Sequence, residues 1–405
     1  MLDLEAVDRD PIPPAPTPVS SEPSGAAPET ITLTPFEHLS SFWNLWQAYG
    51  QAARGKRSRR DVAAFEYDLE GRLMQLRDGL RARTYHPGAY RRFAIADPKP
   101  RVISAAPFAD RVVHHALVNV LEPLYERRFI GDSYANRRGK GLHQALDRAN
   151  QFARRYPYVL QCDIVQFFPA VDLAILRRNL ARVVRDDDVL WLCDQILQGG
   201  AHELTDQYTL VVFPGEAPEQ AAARPRGLPI GNQTSQFWAN VYLHPLDQFV
   251  KSELRCPAYL RYVDDFLLFA DDEATLHRYK RAIIAFLATH LRLTLHERES
   301  AVAPVTVGMP FLGFRVYPSH RRLRRRNGVA FANRLRGMRR AHAAGELTTR
   351  MFTARVQGWV AHVAHGDTWR LRASLLRAGS PTPIANSSHK PAQIFSNHAG
   401  SAGAA

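Results

Sequence analysis

The run Tyr259-Leu260-Arg261-Tyr262-Val263-Asp264-Asp265-Phe266-Leu267-Leu268-Phe269 constrains this chain more than any other segment. Two adjacent carboxylates interrupt two apolar half-strands, and a tight hairpin would bury the flanks while presenting the acids at its tip. Like charges that close repel unless cations screen them. A second apolar run, Tyr158-Val159-Leu160-Gln161-Cys162-Asp163-Ile164, reads as a buried strand with an acid near its end. An unpaired carboxylate there would cost several kcal/mol, so a metal or cationic partner is implied. Three carboxylates brought together suit two Mg²⁺ ions, which take hard oxygen ligands and leave positions open for phosphate and water. The other acidic pairs read differently: Asp271-Asp272 and Asp186-Asp187-Asp188 as solvated turn residues, Asp172 as the N-cap of a helix beginning at Leu173.

The chain has 405 residues, 53 Lys plus Arg against 39 Asp plus Glu, and a net charge of +14 spread through its body. That balance favours a polyanionic partner, nucleic acid first and an anionic membrane second, though charge alone is equally compatible with an ordinary basic enzyme. Cys162, Cys193 and Cys256 lack the paired spacing of a zinc site or a disulfide framework. No run of about 18 apolar residues occurs, and the N-terminus lacks the basic-then-apolar order of a secretory signal. A soluble, cytoplasmic protein with no membrane partner is expected.

Residues 1–32, rich in Pro, Ser and Ala, read as a disordered leader. Residues 33–84 read as helices, with Phe65, Leu69, Leu73, Leu76 and Leu80 at helical spacing, around an exposed basic loop, Arg54 to Arg60. From about 85 to 320, strand-like and helix-like runs alternate, as in an α+β body. Residues 321–378 read as a basic helical segment, and 379–405 as a disordered tail.

The apolar-Tyr-Val-Asp-Asp-apolar hairpin resembles the most diagnostic motif of reverse transcriptases, and it is accompanied. Asp163-Ile164-Val165-Gln166-Phe167-Phe168 resembles their first catalytic motif, Gly227-Leu228-Pro229-Ile230-Gly231-Asn232-Gln233-Thr234-Ser235-Gln236 the next, and Phe311-Leu312-Gly313-Phe314 the primer-grip turn. Lys99-Pro100-Arg101-Val102-Ile103 and Ser133 to Gly141 resemble finger segments, so the likeness covers roughly residues 85 to 320. It implies a right-hand polymerase fold: fingers and palm built of an antiparallel sheet plus helices, and a short helical thumb. It also implies an RNA-directed DNA polymerase using two Mg²⁺ ions, with template RNA, a cDNA primer-template duplex and dNTPs as partners.

Carried across by position, the resemblance makes Asp163, Asp264 and Asp265 catalytic and, with Ile164, metal-binding. It assigns Lys99, Arg101, Phe168, Ile230, Gly231 and Gln236 to the nucleotide. Phe168, five residues after the first Asp, would be the steric gate that excludes a 2′-hydroxyl, the alternative being a core ring beside Phe167. Arg101 and Lys99 match fingertip cations aimed at the triphosphate. Arg137, Lys140, Arg324, Arg325 and Arg326 are expected at nucleic acid. Segment 231–236 should lead into a helix running through Phe237, Asn240, Val241 and Leu243.

Where many relatives have Gln after Leu-Pro and end the motif in Ser-Pro, this chain has Ile230 and ends in Ser235-Gln236. That pattern resembles the group II intron-like enzymes of diversity-generating retroelements, which copy a template-repeat RNA with frequent errors opposite adenine and act with a small basic accessory protein. Intron-like, retron-like and phage-defence reverse transcriptases stay open as alternatives, as do a non-catalytic palm protein and an RNA-templated RNA polymerase. Intact acids speak against the non-catalytic reading, and Phe168 against the RNA polymerase. His362 and His365 read as structural in preference to metal ligands.

Overall fold

The computed structural model describes residues 33–95, 101–201 and 203–377. The leader and tail expected to be disordered lie outside the described residues, as does Lys99. Four helices come first: α1 (Pro35–Leu39), α2 (Phe42–Ala53), α3 (Arg60–Glu66) and α4 (Leu69–Arg81). Thr34 and Glu37 close α1 with a capping box, and the Ser41 hydroxyl accepts from Asn44 N–H to start α2. The basic loop between α2 and α3 is exposed at most positions, as expected.

An antiparallel hairpin of β1 (Arg91–Ile95) and β2 (Arg101–Ala105) precedes the long helices α5 (Phe108–Glu126) and α6 (Leu142–Arg155). Then come β3 (Tyr158–Cys162), α7 (Phe167–Ala170), α8 (Leu173–Ala181), α9 (Asp187–Gly200), α10 (Pro218–Ala223) and α11 (Gln233–Gln248). Asp172 caps α8 as expected, its carboxylate accepting from Ile175 N–H. The Asp186-Asp187-Asp188 run is no solvated turn. Asp186 caps α9 and also accepts from Phe36 N–H at 3.0 Å, while Asp188 pairs with Arg83, so the run ties the N-terminal helices to the body. Asp272 likewise caps the helix that follows it, accepting from Thr275 N–H.

The centre is a four-stranded antiparallel sheet in the order β4-β5-β3-β6, from β4 (Ala258–Tyr262), β5 (Asp265–Ala270), β3 and, after α12 (Glu273–Phe286), β6 (Val302–Pro304). Side chains along β5 alternate faces: Phe266 and Leu268 pack against α5, α8, α11 and α12, whereas Leu267 and Phe269 pack toward α6 and a second sheet. Both faces are covered, which is why β5 is apolar throughout instead of alternating.

The second sheet is β7 (Met309–Phe311), β8 (Phe314–Val316) and β9 (Arg321–Leu323) in that order. Its first turn has Leu312 and Gly313 both at positive φ (45° and 87°), as a two-residue type I′ hairpin requires. The expectation of helix from residue 321 onward is corrected by β9, whose pairing with β8 (Phe314 opposite Leu323) delays the helix to Arg325. Three helices end the described chain, α13 (Arg325–Ala343), α14 (Thr349–Val363) and α15 (Trp369–Arg377). They have a small core of their own, in which Phe331 stacks on Trp359 at 3.7 Å. The architecture is the α+β class expected. Among the described residues no helix is long and apolar enough to cross a membrane.

Candidate active site

The sheet register builds the site. Tyr158 pairs with Ala270 and Cys162 with Phe266, so the next step of the β3–β5 ladder sets Asp163 across from Asp265. On the other side, Tyr262 pairs with Asp265, leaving Val263-Asp264 as the two-residue turn. Three half-buried carboxylates thus share one end of one sheet. Val263 sits at φ 56°, a backbone state that β-branched residues rarely adopt and that costs on the order of 1–3 kcal/mol unless its surroundings enforce it.

Arg261 supplies that enforcement. It is fully buried, donates to the Val263 carbonyl at 3.0 Å and to Asn240 Oδ1 at 3.1 Å, and forms an ion pair with Asp247 of α11. Its backbone N–H and carbonyl are bonded to Asp132 and Tyr134. Sequence reasoning missed both Arg261 and Asp247, although a charge in the middle of an apolar strand was the available signal.

Burial pushes the Asp264 carboxyl up to about 6; its own backbone N–H opposes the rise, Asp163 adds to it, and Arg101 and Arg261 oppose it further. The acids are therefore within electrostatic reach of one another and of Arg101 at the start of β2. Arg324 is within electrostatic reach of Asp265, and its backbone N–H donates to the Gly313 carbonyl at the primer-grip-like turn. As a donor set, three hard carboxylates fit a divalent oxygen-seeking ion. They are not drawn into a closed cage: among the described residues no group of three His, Cys, Asp or Glu side chains is gathered tightly enough to hold one. The Ile164 side chain is buried and carries no donor atom, so only its carbonyl could serve as a ligand; the neighbouring bridge to Leu295 employs Asp163 O and Val165 N–H instead.

A strap formed by residues 227–232 links the remaining nucleotide candidates. Leu228 N–H donates to the Phe168 carbonyl, Ser104 N–H of β2 donates to the Ile230 carbonyl, and Asn232 bonds Ser104 O, Pro229 O and Ala106 N–H. Gly231 has φ 117°, and a Cβ there would lie 2.9 Å from Ile103 Cγ2, so the close approach to β2 demands glycine. Gln236 lies half-buried in the first turn of α11, which runs through Phe237, Asn240, Val241 and Leu243 as expected. Of the paired rings, Phe167 is 2% exposed and belongs to the core, while Phe168 is only partly buried.

The cations expected at nucleic acid separate. Arg325 and Arg326 are exposed in the first turn of α13, and Lys140 is half-buried with its ammonium on Gly131 O and over the Tyr134 ring. Arg137 is a correction. Its side chain is 5% exposed, forked onto Glu126 and bonded to the Ile130 and Ser133 carbonyls, so four of its five N–H donors hold a loop together instead of facing phosphate. A cavity of about 1150 Å³ between the N-terminal helices and the β1–β2 hairpin is lined by Arg59, Arg60, Arg72 and Arg91 along with Phe65 and Phe93. His365 stacks on His143 of α6 at 3.5 Å and His362 lies 3.4 Å from the same ring, a contact between α6 and the α14 end.

The family described as reverse transcriptase (RNA-dependent DNA polymerase) matches residues 96–316. Nuclear intron maturase 1, mitochondrial, of Arabidopsis thaliana is 32% identical over 91 residues, covering 22% of this chain and 13% of that one. The group II intron-encoded protein LtrA of Lactococcus lactis subsp. cremoris is 25% identical over 221 residues, 54% of this chain and 34% of its own. The chain thus spans about a third or less of the length of these curated relatives. Telomerase from Candida albicans, solved in complex with a telomeric RNA fragment, aligns with 60% of this chain and 47% of its own at a TM-score of 0.42 and 10% identity.

Proposed function

The chain belongs to the reverse transcriptase family, and from that premise we propose that it is an RNA-directed DNA polymerase copying template RNA into cDNA from dNTPs. The observation that carries this reading is the meeting of Asp163, Asp264 and Asp265 at one sheet end, within electrostatic reach of Arg101 and Arg324. The three acids, with the Ile164 carbonyl, would hold the two Mg²⁺ ions. Bound metal lowers the pKa of an attacking 3′-hydroxyl and neutralises the leaving pyrophosphate.

The chain's own residues do the rest. Arg101 faces the triphosphate, a role the resemblance also gives to Lys99; the Phe168 ring lies under the sugar; Ile230, Gly231 and Gln236 line the nascent pair. Arg324, Arg325 and Arg326 stand at the N-terminal end of α13, where cations are disfavoured by the helix dipole unless an anion joins them. A phosphate of the primer-template duplex meets that need, with helices 325–377 acting as the thumb. The arginine-lined cavity beside β1–β2 suits the template strand on the fingers side, with Lys140 on the palm edge. Domain limits follow as proposals: 33–84 an N-terminal basic segment, 85–320 fingers and palm, 321–378 thumb.

Ile230 and the Ser235-Gln236 ending support a diversity-generating element, error-prone opposite adenine and served by a small basic accessory protein. A second reading, an intron-associated enzyme, is supported by the likeness to intron maturases. Primer extension on one RNA template with dNTPs or NTPs tests the activity: Mg²⁺-dependent extension with dNTPs alone is expected, and extension with neither would overturn it. Near-identical flanking repeats differing at adenines would decide for the diversity-generating reading over the intron one.

A further inference from the structure

On the helix-covered side of the central sheet, a cavity of about 710 Å³ opens between the ends of α5, α8, α11 and α12. None of the carboxylate-end residues lines it. Its size is that of a small-ligand pocket. Two π-helical turns border it, residues 249–253 after α11 and 287–291 after α12, and such turns are rare and concentrate at functional sites.

The lining is chemically specific. Arg178 and Arg182, one turn apart at the end of α8, and Arg128 beyond α5 converge on it, against the single acid Glu253. Arg128 is engaged with the Leu124 carbonyl, whereas among the described residues neither Arg178 nor Arg182 makes an ion pair. Phe249, Phe286 and His290 form a continuous parallel stack with centroids 4.3 and 4.5 Å apart, and His290 is its exposed outer ring. Two polar atoms in the wall are buried without a hydrogen-bond partner: Nδ2 of Asn179, a residue 8% exposed, and Nδ1 of His244. Burial lowers the His244 pKa, which keeps the ring neutral. Buried groups left unsatisfied in this way mark unused bonding capacity.

We propose that this cavity binds a nucleoside monophosphate unit, with its phosphate on Arg178 and Arg182 and its planar base against the Phe249–Phe286–His290 stack. Paired guanidinium forks match phosphate oxygens, the stack presents an aromatic face, and Asn179 supplies a hydrogen-bond donor to the base. The unit is either a free nucleotide or one residue of a bound RNA strand.

Isothermal titration of the full chain in EDTA, with AMP, adenosine and a five-residue oligo(A) as probes, tests the assignment. AMP should bind at one site, with adenosine weaker by at least about tenfold, since each lost charge-assisted contact is worth about that factor. R178Q/R182Q should weaken AMP by more than about tenfold and H290A by several-fold, while a charge-matched control, R281Q/R298Q, leaves it unchanged. Primer extension by R178Q/R182Q should equal the parent's, which separates this site from polymerisation. Tighter Arg178-dependent binding of oligo(A) than of AMP would identify the strand as the source, and the reverse order the free nucleotide. No AMP binding by the parent, or equal affinity in R178Q/R182Q, would overturn the proposal and leave these arginines as helix-end cations.

Discussion

Asp247 and Arg261 are both fully buried and joined by two hydrogen bonds of 2.7 Å each, Nε to Oδ1 and Nη2 to Oδ2. The same guanidinium holds the Val263 carbonyl, so the ion pair fixes the turn that carries Asp264. Arg261→Met leaves the Asp247 carboxylate buried against an apolar chain, a loss of about 3–5 kcal/mol. Urea denaturation should show it, and Arg261→Lys should recover only part because an ammonium cannot reproduce the fork. A loss below about 1 kcal/mol in Arg261→Met would mean that the pair does not hold the turn.

The acid assignment predicts that Asp264→Asn or Asp163→Asn abolishes Mg²⁺-dependent cDNA synthesis and leaves RNA binding intact, since metal-ligand loss removes transition-state charge stabilisation alone. There is a pH signature. With the metal-free carboxyl raised to about 6, protonation below that pH competes with Mg²⁺, so the Mg²⁺ concentration needed for half-maximal extension should rise as pH falls from 7.5 to 5.5. The sign for stability is opposite: the folded state binds this proton more tightly than the unfolded chain, so the metal-free fold gains stability from Asp264 as pH falls through 6. Robust polymerisation by Asp264→Asn would refute the assignment.

The three arginines at the start of α13 should neutralise phosphates. Changing Arg324, Arg325 and Arg326 to Gln should weaken primer-template binding and flatten the plot of log affinity against log salt by up to about 3 units, nearly one per phosphate contact. An unaltered slope would return the stretch to solvent.

Phe168→Ala should raise ribonucleotide use relative to deoxyribonucleotide use, read as the ratio of kcat/KM values, because opening the space beneath the sugar admits a 2′-hydroxyl. Identical ratios in variant and parent would make Phe168 a core partner of Phe167.

Ile230→Gln should lower misincorporation opposite template adenine. One net hydrogen bond to the incoming nucleotide, about 1 kcal/mol, changes an error ratio several-fold and is measurable by sequencing cDNA. Should the parent copy adenine as faithfully as the other bases, with any accessory protein present, the diversity-generating reading fails and the polymerase reading stands.

The hairpin and its two acids, the Asp163 strand, the Asp172 cap and the course of α11 were legible from residue order, because each depends on neighbours within a few positions: apolar runs seek burial, and acids at strand ends or helix starts have few other roles. Residue order did not separate Arg137 from Arg324. Both are arginines in basic segments, yet Glu126 and two carbonyls claim the first, while the turn at Gly313 places the second near Asp265. Nor did it distinguish Asp186, which bonds the distant Phe36, from a solvated turn acid, or show that residues 321–323 pair with β8 before the helix begins. The Asp247–Arg261 pair and the strap between Ile230 and Ser104 likewise join segments far apart in sequence or on different elements. Local patterning is sufficient to specify an element and its caps, but which of several like charges is buried, paired or open to a ligand is an electrostatic and packing outcome of the assembled chain.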